Sequence, residues 1–149
     1  MKNKDFTMEF VVGQSPAEVF RAIQNVKKWW SGFYREQIEG NTTNLNGEFT
    51  FLAAGGAHYS KQKLVELIPE KKLVWLVTDS KLTFIKNEGE WIGSKFGFEI
   101  ARQENGTKIT FTHMGLVPEV ECYEDCTMGW TQYLLALIRD LEKNMVVKK

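Results

Sequence analysis

The chain has 149 residues, a length that fits one domain, and a domain of about that size buries roughly 68–70% of the surface its unfolded chain exposes. Lysine plus arginine and aspartate plus glutamate both total 19, so no net field draws the chain to nucleic acid, an anionic membrane or an acidic substrate. Residues 1–10 carry no signal-peptide run and no segment has the roughly 18 consecutive apolar residues of a membrane span. Two cysteines, Cys122 and Cys126, are too few for a disulfide framework, and a cytoplasmic location without membrane insertion is expected.

Phe6, Met8, Phe10 and Val12 alternate with Asp5, Thr7, Glu9 and Val11, the pattern of a strand with one buried face, ending near Gly13. Ser15-Pro16-Ala17-Glu18 then supplies an N-cap serine, a proline at the first helical position and a glutamate able to close a capping box. Val19, Phe20, Ile23 and Val26 give that helix its apolar stripe, and Gly32 stops a second short helical segment after Trp29-Trp30-Ser31. From Gly47 the period becomes 2, with Phe49 and Phe51 alternating with Glu48, Thr50 and Leu52 before a turn at residues 53–57. Residues 59–68 form the next strand, 69–72 a tight turn, and 73–78 a run apolar on both faces, expected as a central strand covered twice. Asn87-Glu88-Gly89 marks a turn. Ile92, Phe96, Phe98 and Ile100 share a parity in the following strand, where Gly93 and Gly97 permit curvature. After Glu104-Asn105-Gly106, Ile109, Phe111 and His113 share a parity in the last strand. Beyond Pro118, Cys126, Trp130, Tyr133, Leu134, Leu137, Ile138, Leu141 and Met145 recur at helical spacing, and Lys148-Lys149 is a frayed end. No linker, repeat or low-complexity tract divides the chain, so residues 1–149 read as one α+β domain.

One strand, two short helices, a run of hairpin-connected strands and a long last helix is the helix-grip order. The stretches Ser15-Pro16-Ala17-Glu18-Val19-Phe20, Trp29-Trp30, Val65-Glu66-Leu67-Ile68-Pro69, Leu73-Val74-Trp75 and Thr112-His113-Met114-Gly115-Leu116, followed by Gly129-Trp130, occur in that sequence along nearly the whole chain. In them the chain resembles the START-like (SRPBCC) superfamily, and more narrowly its branch of homologues of the activator of the heat-shock-protein ATPase, in bacterial single-domain form. The resemblance implies a curved antiparallel sheet of about six to seven strands with the long C-terminal helix packed across it. It also implies a cavity opening near the two short helices and the strand-end loops. The superfamily spans carriers, cyclases, co-chaperones and allergens, so the activity stays open.

Ten Phe, five Trp and four Tyr make 13% of the chain, a ring content that can line such a cavity or fill it. Phe49, Phe51, Phe98 and Phe111 lie at inward strand parity and point, with Trp75, toward the helix face of Trp130 and Tyr133. His113 has the same parity as Phe111, which makes it the polar candidate to orient a ligand or move a proton, against the plain reading of a histidine held by structural hydrogen bonds. Asp79 and Tyr123 are the groups that would join it, while His58 in a Gly-rich turn is expected to face solvent. Trp29 and Trp30 are about 100° apart on any helix, so Trp30 is expected inside and Trp29 at a loop, a pocket mouth or solvent.

Cys122 and Cys126 are four residues apart and, with His113, would make three metal ligands, but there is no CxxC or HExxH and no metal or cofactor is assigned. No nucleophile elbow or phosphate-cradling loop occurs, so no catalytic residue is assigned either.

The favoured reading is a non-catalytic binder of a small hydrophobic or amphipathic molecule, lipid-like or aromatic. Trp30, Phe49, Phe51, Trp75, Phe98 and Phe111 form one part of its expected contact set, and His113, Tyr123, Trp130, Tyr133 and Leu137 the other. Two alternatives stay open: a polyketide cyclase or dehydratase-like enzyme using His113 with Tyr123 or Asp79, and a co-chaperone-like interaction module, the chaperone partner resting on analogy alone. Exposed edge strands would permit a homodimer.

Overall fold

The computed structural model describes residues 5–147, with side chains as far as residue 142. Met1–Lys4, the Met145 side chain of the expected stripe and the Lys148-Lys149 end lie outside the described residues. The elements run β1 (Phe6–Val12), α1 (Pro16–Gln24), α2 (Val26–Trp29), β2 (Gln37–Gly40), β3 (Glu48–Ala53), β4 (His58–Ile68), β5 (Lys72–Leu82), β6 (Lys95–Gln103), β7 (Gly106–Met114) and α3 (Tyr123–Val147). The capping box forms as its spacing requires: the Ser15 hydroxyl accepts from the Glu18 N–H while the Glu18 carboxylate accepts from the Ser15 N–H.

All seven strands join one antiparallel sheet in the order β1-β7-β6-β5-β4-β3-β2. Each hairpin pairs with its sequence neighbour, and only β1 crosses over, pairing along β7 from Phe6↔His113 to Val12↔Thr107. Register shifts between Lys61 and Gln62 and between Leu64 and Glu66 break the β4–β5 ladder, and such irregularities bend and twist a sheet. The inner face then gathers Phe49, Phe51, Leu64, Trp75, Phe96, Phe98, Ile109 and Phe111 against the α3 stripe of Trp130, Leu134, Leu137 and Leu141.

Four expectations need correction. β2 is a strand that the sequence does not announce, because four residues with Ile38 as their one buried side chain carry no period. β5 is the central strand, but it is not covered twice. Its outward Val74 lies opposite Gly97, where a Cβ would stand 2.2 Å from the Leu73 carbonyl oxygen, so strand approach rather than a second layer keeps it dry. Ile92 and Gly93 belong to the turn before β6 and not to the strand; Ile92 is exposed, and the Gly93 N–H bonds to the Val77 carbonyl with φ at +88°. Trp29 and Trp30 are both buried, 1% and 2% exposed. Trp30 leaves the helix at φ −93°, ψ 43°, which frees its ring to turn inward beside Trp29 at 6.0 Å. The Trp29 indole donates to the Ile23 carbonyl at 2.9 Å.

Candidate ligand-binding pocket

Strand parity sends His113 of β7 inward, and helical spacing sets Trp130 of α3 against it. The Trp130 indole N–H donates to His113 Nδ1 at 2.9 Å. An indole nitrogen only donates, so Nδ1 is the acceptor and the ring proton sits on Nε2, 2.9 Å from Ser94 Oγ. The Ser94 hydroxyl in turn donates a hydrogen bond to the Trp91 carbonyl at 2.6 Å. Burial pushes the His113 pKa from 6.5 down to about 3, with Asp5 raising it and His58 lowering it further, so the ring is neutral near pH 7. Both nitrogens are engaged within the fold.

Around Trp130 the interior is filled by rings. Trp91 lies parallel to it at 5.9 Å, Trp30 near-parallel at 5.1 Å and Phe111 tilted at 4.6 Å, while Trp30 stacks on Phe51 at 4.0 Å. Where this stack ends, a pocket of about 220 Å³ opens between the first half of α3, the β3–β4 turn and the β5–β6 loop. Its buried wall is Trp30, Phe51, Trp91, Trp130, Tyr133 and Cys126. Its rim carries Tyr34, Phe84, Asp125 and Met128, with Phe84 43% and Met128 63% exposed.

Two acidic side chains organise one side of the mouth and a third the other. The Glu36 carboxylate accepts from the N–H groups of Gly32, Phe33 and Tyr34 and, at 2.5 Å, from the Tyr133 hydroxyl. Burial alone would raise this carboxyl, but the Tyr133 hydroxyl and those backbone donors hold its pKa below the ordinary 4.5. The Tyr34 hydroxyl donates to Gln132 at 2.8 Å, so the segment after α2 is tied to α3 twice. On the far side Glu90 accepts from the N–H groups of Glu121 and Cys122, while Glu121 accepts from those of Lys86 and Asn87. This reciprocal pair fastens the β5–β6 loop to the start of α3, helped by the Trp91 indole donating to Cys122 Sγ at 3.4 Å.

The remaining titratable groups of the wall are quiet at neutral pH. A hydrogen bond with Cys122 and then burial push the Cys126 thiol well up, and burial and the bond to Glu36 do the same for the Tyr133 phenol. His58 does not face solvent as expected. Its ring meets Trp91 at 4.8 Å and Phe51 at 5.1 Å edge to face, with Phe84 stacked at 6.3 Å, and burial lowers its pKa from 6.5 to about 4.

The family model described as Activator of Hsp90 ATPase homolog 1-like protein matches residues 14–142 of this sequence. The chain belongs to that family. Among solved structures it is similar to the Aha1 dimer from Colwellia psychrerythraea, 25% identical over 93% of this chain and 96% of that one, with a TM-score of 0.72. It is also similar to MLL2253 from Mesorhizobium loti (17% identity, 93% and 97% covered, TM-score 0.74) and CalU16 from Micromonospora echinospora (15% identity, 95% and 78% covered, TM-score 0.62). The latter two likenesses are of fold alone. No curated protein matches the chain.

Of the contacts expected from sequence, this member of the Hsp90-activator homologue family brings Trp30, Phe51, Trp130 and Tyr133 to the pocket. Phe49, Trp75, Phe98 and Phe111 lie in the ring-packed interior and do not border it. His113 sits behind Trp91 and Trp130, Tyr123 packs half-buried at the start of α3, and Leu137 faces a separate groove with Gln14 and Leu141. Asp79 is exposed on β5 with its carboxylate on the Ser80 N–H. Among the described residues no three of His, Cys, Asp and Glu gather as a metal site would need, and no helix is long and apolar enough to cross a membrane. Trp91, Phe84, Tyr34, His58, Asp125 and Met128 also border the pocket, beyond the contacts expected from sequence. The available signal was the length of the stretch at 83–94, since a long irregular loop carrying bulky rings is a functional candidate.

Proposed function

We propose that this protein binds a small apolar aromatic molecule in the pocket beside Trp130 and holds it without chemistry. The observation that carries this reading is a preformed space of about 220 Å³ walled by Trp30, Phe51, Trp91, Trp130 and Tyr133. A dry apolar cavity of about 150 Å³ takes up benzene, so this one suits one substituted ring or two fused ones. The non-catalytic part of the reading is supported by the engagement of His113, Tyr133 and Cys126 and by the distance of Asp79 and Tyr123 from the pocket lining. Buried free Cys122 and Cys126 and balanced charge support a cytoplasmic setting.

Gly129 provides the test. It borders the pocket, and a Cβ built on it meets nothing within 4 Å, so Gly129→Leu has room to start a side chain beside the space and is expected to occupy it. Calorimetric titration with naphthalene-sized compounds should give saturable 1:1 binding to the wild type and none to Gly129→Leu. Equal binding by both proteins refutes the site, and absence of binding to either refutes the function. A second reading, a homodimer or partner surface, is supported by exposed Phe33, Phe84 and Met128 around the mouth and by the dimeric relative from Colwellia psychrerythraea. Sedimentation equilibrium of the wild type and Met128→Glu separates it: a dimer lost on substitution supports the surface, and a monomer throughout removes it.

A further inference from the structure

The family and the pocket leave open what kind of aromatic molecule fits, and three features of the lining bear on that. The first is an orphan. His58 borders the pocket, and its Nε2 is shut off from solvent with no hydrogen-bond partner. A buried polar atom without a partner is costly, and a ligand group that supplies one recovers that cost. Three other polar groups of the lining have partners within the fold: the Tyr133 hydroxyl in Glu36, the Tyr34 hydroxyl in Gln132 and the Cys126 thiol in Cys122.

The second feature is charge. Among the described residues Asp125 is the one acidic side chain that borders the pocket, and no lysine or arginine does. His58 adds no positive charge at neutral pH, because burial keeps its pKa near 4. A carboxylate entering this space would lose its hydration and meet no cation. The third is shape: parallel Trp91 and Trp130 on one side and the Trp30–Phe51 stack on another present flat ring systems.

Resting on the pocket being a small-molecule site, we infer that His58 is its polar anchor and that the occupant is an uncharged flat aromatic bearing a phenol-like hydroxyl. The imidazole packs edge to face on buried Phe51 and Trp91, and its third ring neighbour, Phe84, is exposed. Because Nε2 is closed to solvent, a neighbour such as Phe84 must move aside when the ligand binds. His113, the histidine that strand parity brings inward, is thereby the structural one of the two.

The experiment is a three-probe calorimetric titration of the full chain with naphthalene, 2-naphthol and 2-naphthoate at pH 7.5. One hydrogen bond to a buried ring nitrogen, which a hydroxyl can make as donor or as acceptor, is worth on the order of tenfold in affinity, so 2-naphthol should bind about tenfold tighter than naphthalene and 2-naphthoate weaker than both. His58→Phe keeps the ring contacts and should bring 2-naphthol to within about threefold of naphthalene. In the wild type, the imidazole ¹⁵N resonances of His58 should move on saturation with 2-naphthol and not with naphthalene. Equal affinities for the two neutral probes, a preference that survives His58→Phe, or tightest binding of 2-naphthoate overturns the inference while leaving the pocket as a ligand site. If none of the three binds, the site itself is refuted and the inference with it. Should His58→Phe fail to fold, the ¹⁵N readout decides alone, and an unmoved His58 overturns the anchor.

Discussion

The two histidines make a quantitative prediction about acid. Burial holds folded-state pKa values of about 4 for His58 and about 3 for His113 against an ordinary 6.5. The unfolded chain therefore takes up protons that the folded one refuses, and stability is full above pH 6.5 and falls as pH drops toward those folded values. At about 1.36 kcal/mol per pKa unit, lowering the pH from 7 to 5 should cost about 2 kcal/mol per histidine, about 4 kcal/mol for both. Against a typical domain stability of about 5–15 kcal/mol, that is a large loss before carboxylates contribute. Glu36 and Glu121 do not confuse the window, because hydrogen bonding holds both below 4.5 and their losses come at lower pH. Urea unfolding followed by tryptophan fluorescence at half-unit steps, at constant ionic strength, measures the slope. His113→Gln should halve it, since a glutamine amide can accept from Trp130 and donate to Ser94 without titrating. A wild-type stability flat to within about 0.5 kcal/mol over this range, or an unchanged slope in the His113→Gln, His58→Phe double variant, refutes the reasoning.

Three further outcomes are expected. Gly129→Ala should raise stability by about 0.5–1 kcal/mol in thermal or urea unfolding, because the helix gains a better former and the new methyl meets open space. Glu90→Gln with Glu121→Gln should speed amide exchange in residues 83–94 while leaving exchange in β6 and β7 unchanged, since the two carboxylates hold that loop through backbone donors. Cys126 should resist iodoacetamide at pH 8 in the folded protein and react on unfolding, because its thiol is held neutral by Cys122 and burial; rapid modification of the native chain, read by mass spectrometry, contradicts this.

The parts of the fold that follow from repeating local patterns were legible in the sequence. Strand parity assigned the inward faces of β1, β3, β6 and β7, and the Ser15 cap located α1, because each is decided by residues within a few positions of one another. The pocket was legible only in part, because its position depends on where rings stop touching. Phe49, Trp75, Phe98 and Phe111 have the right parity but are covered by other rings. Trp91 and Phe84 sit in a loop without a period, so nothing local announced that one closes on Trp130 and the other on His58. Trp30 lies inside as expected, and the Trp29 expectation failed for a related reason: it assumed a continuous helix, and the chain leaves helical geometry at Trp30.

Two departures from good local design coincide at one place. A glycine stands inside a 25-residue helix at a position where alanine would meet no obstacle, and glycine there forgoes about 1 kcal/mol. Across the pocket a buried imidazole nitrogen has no partner, a state that costs about 1–3 kcal/mol. Other buried polar atoms also lack partners, on Gln14, Ser60, Gln62 and Trp75, but none of these residues borders the pocket. The Ser15–Glu18 cap and the Trp130–His113–Ser94–Trp91 chain pair each donor with an acceptor. Sequences break local rules chiefly where function requires it. Gly129 and His58 border the same space of about 220 Å³, and both costs become intelligible if something fills it: the absent side chain leaves room for a ring, and the unpaired nitrogen waits for its hydroxyl.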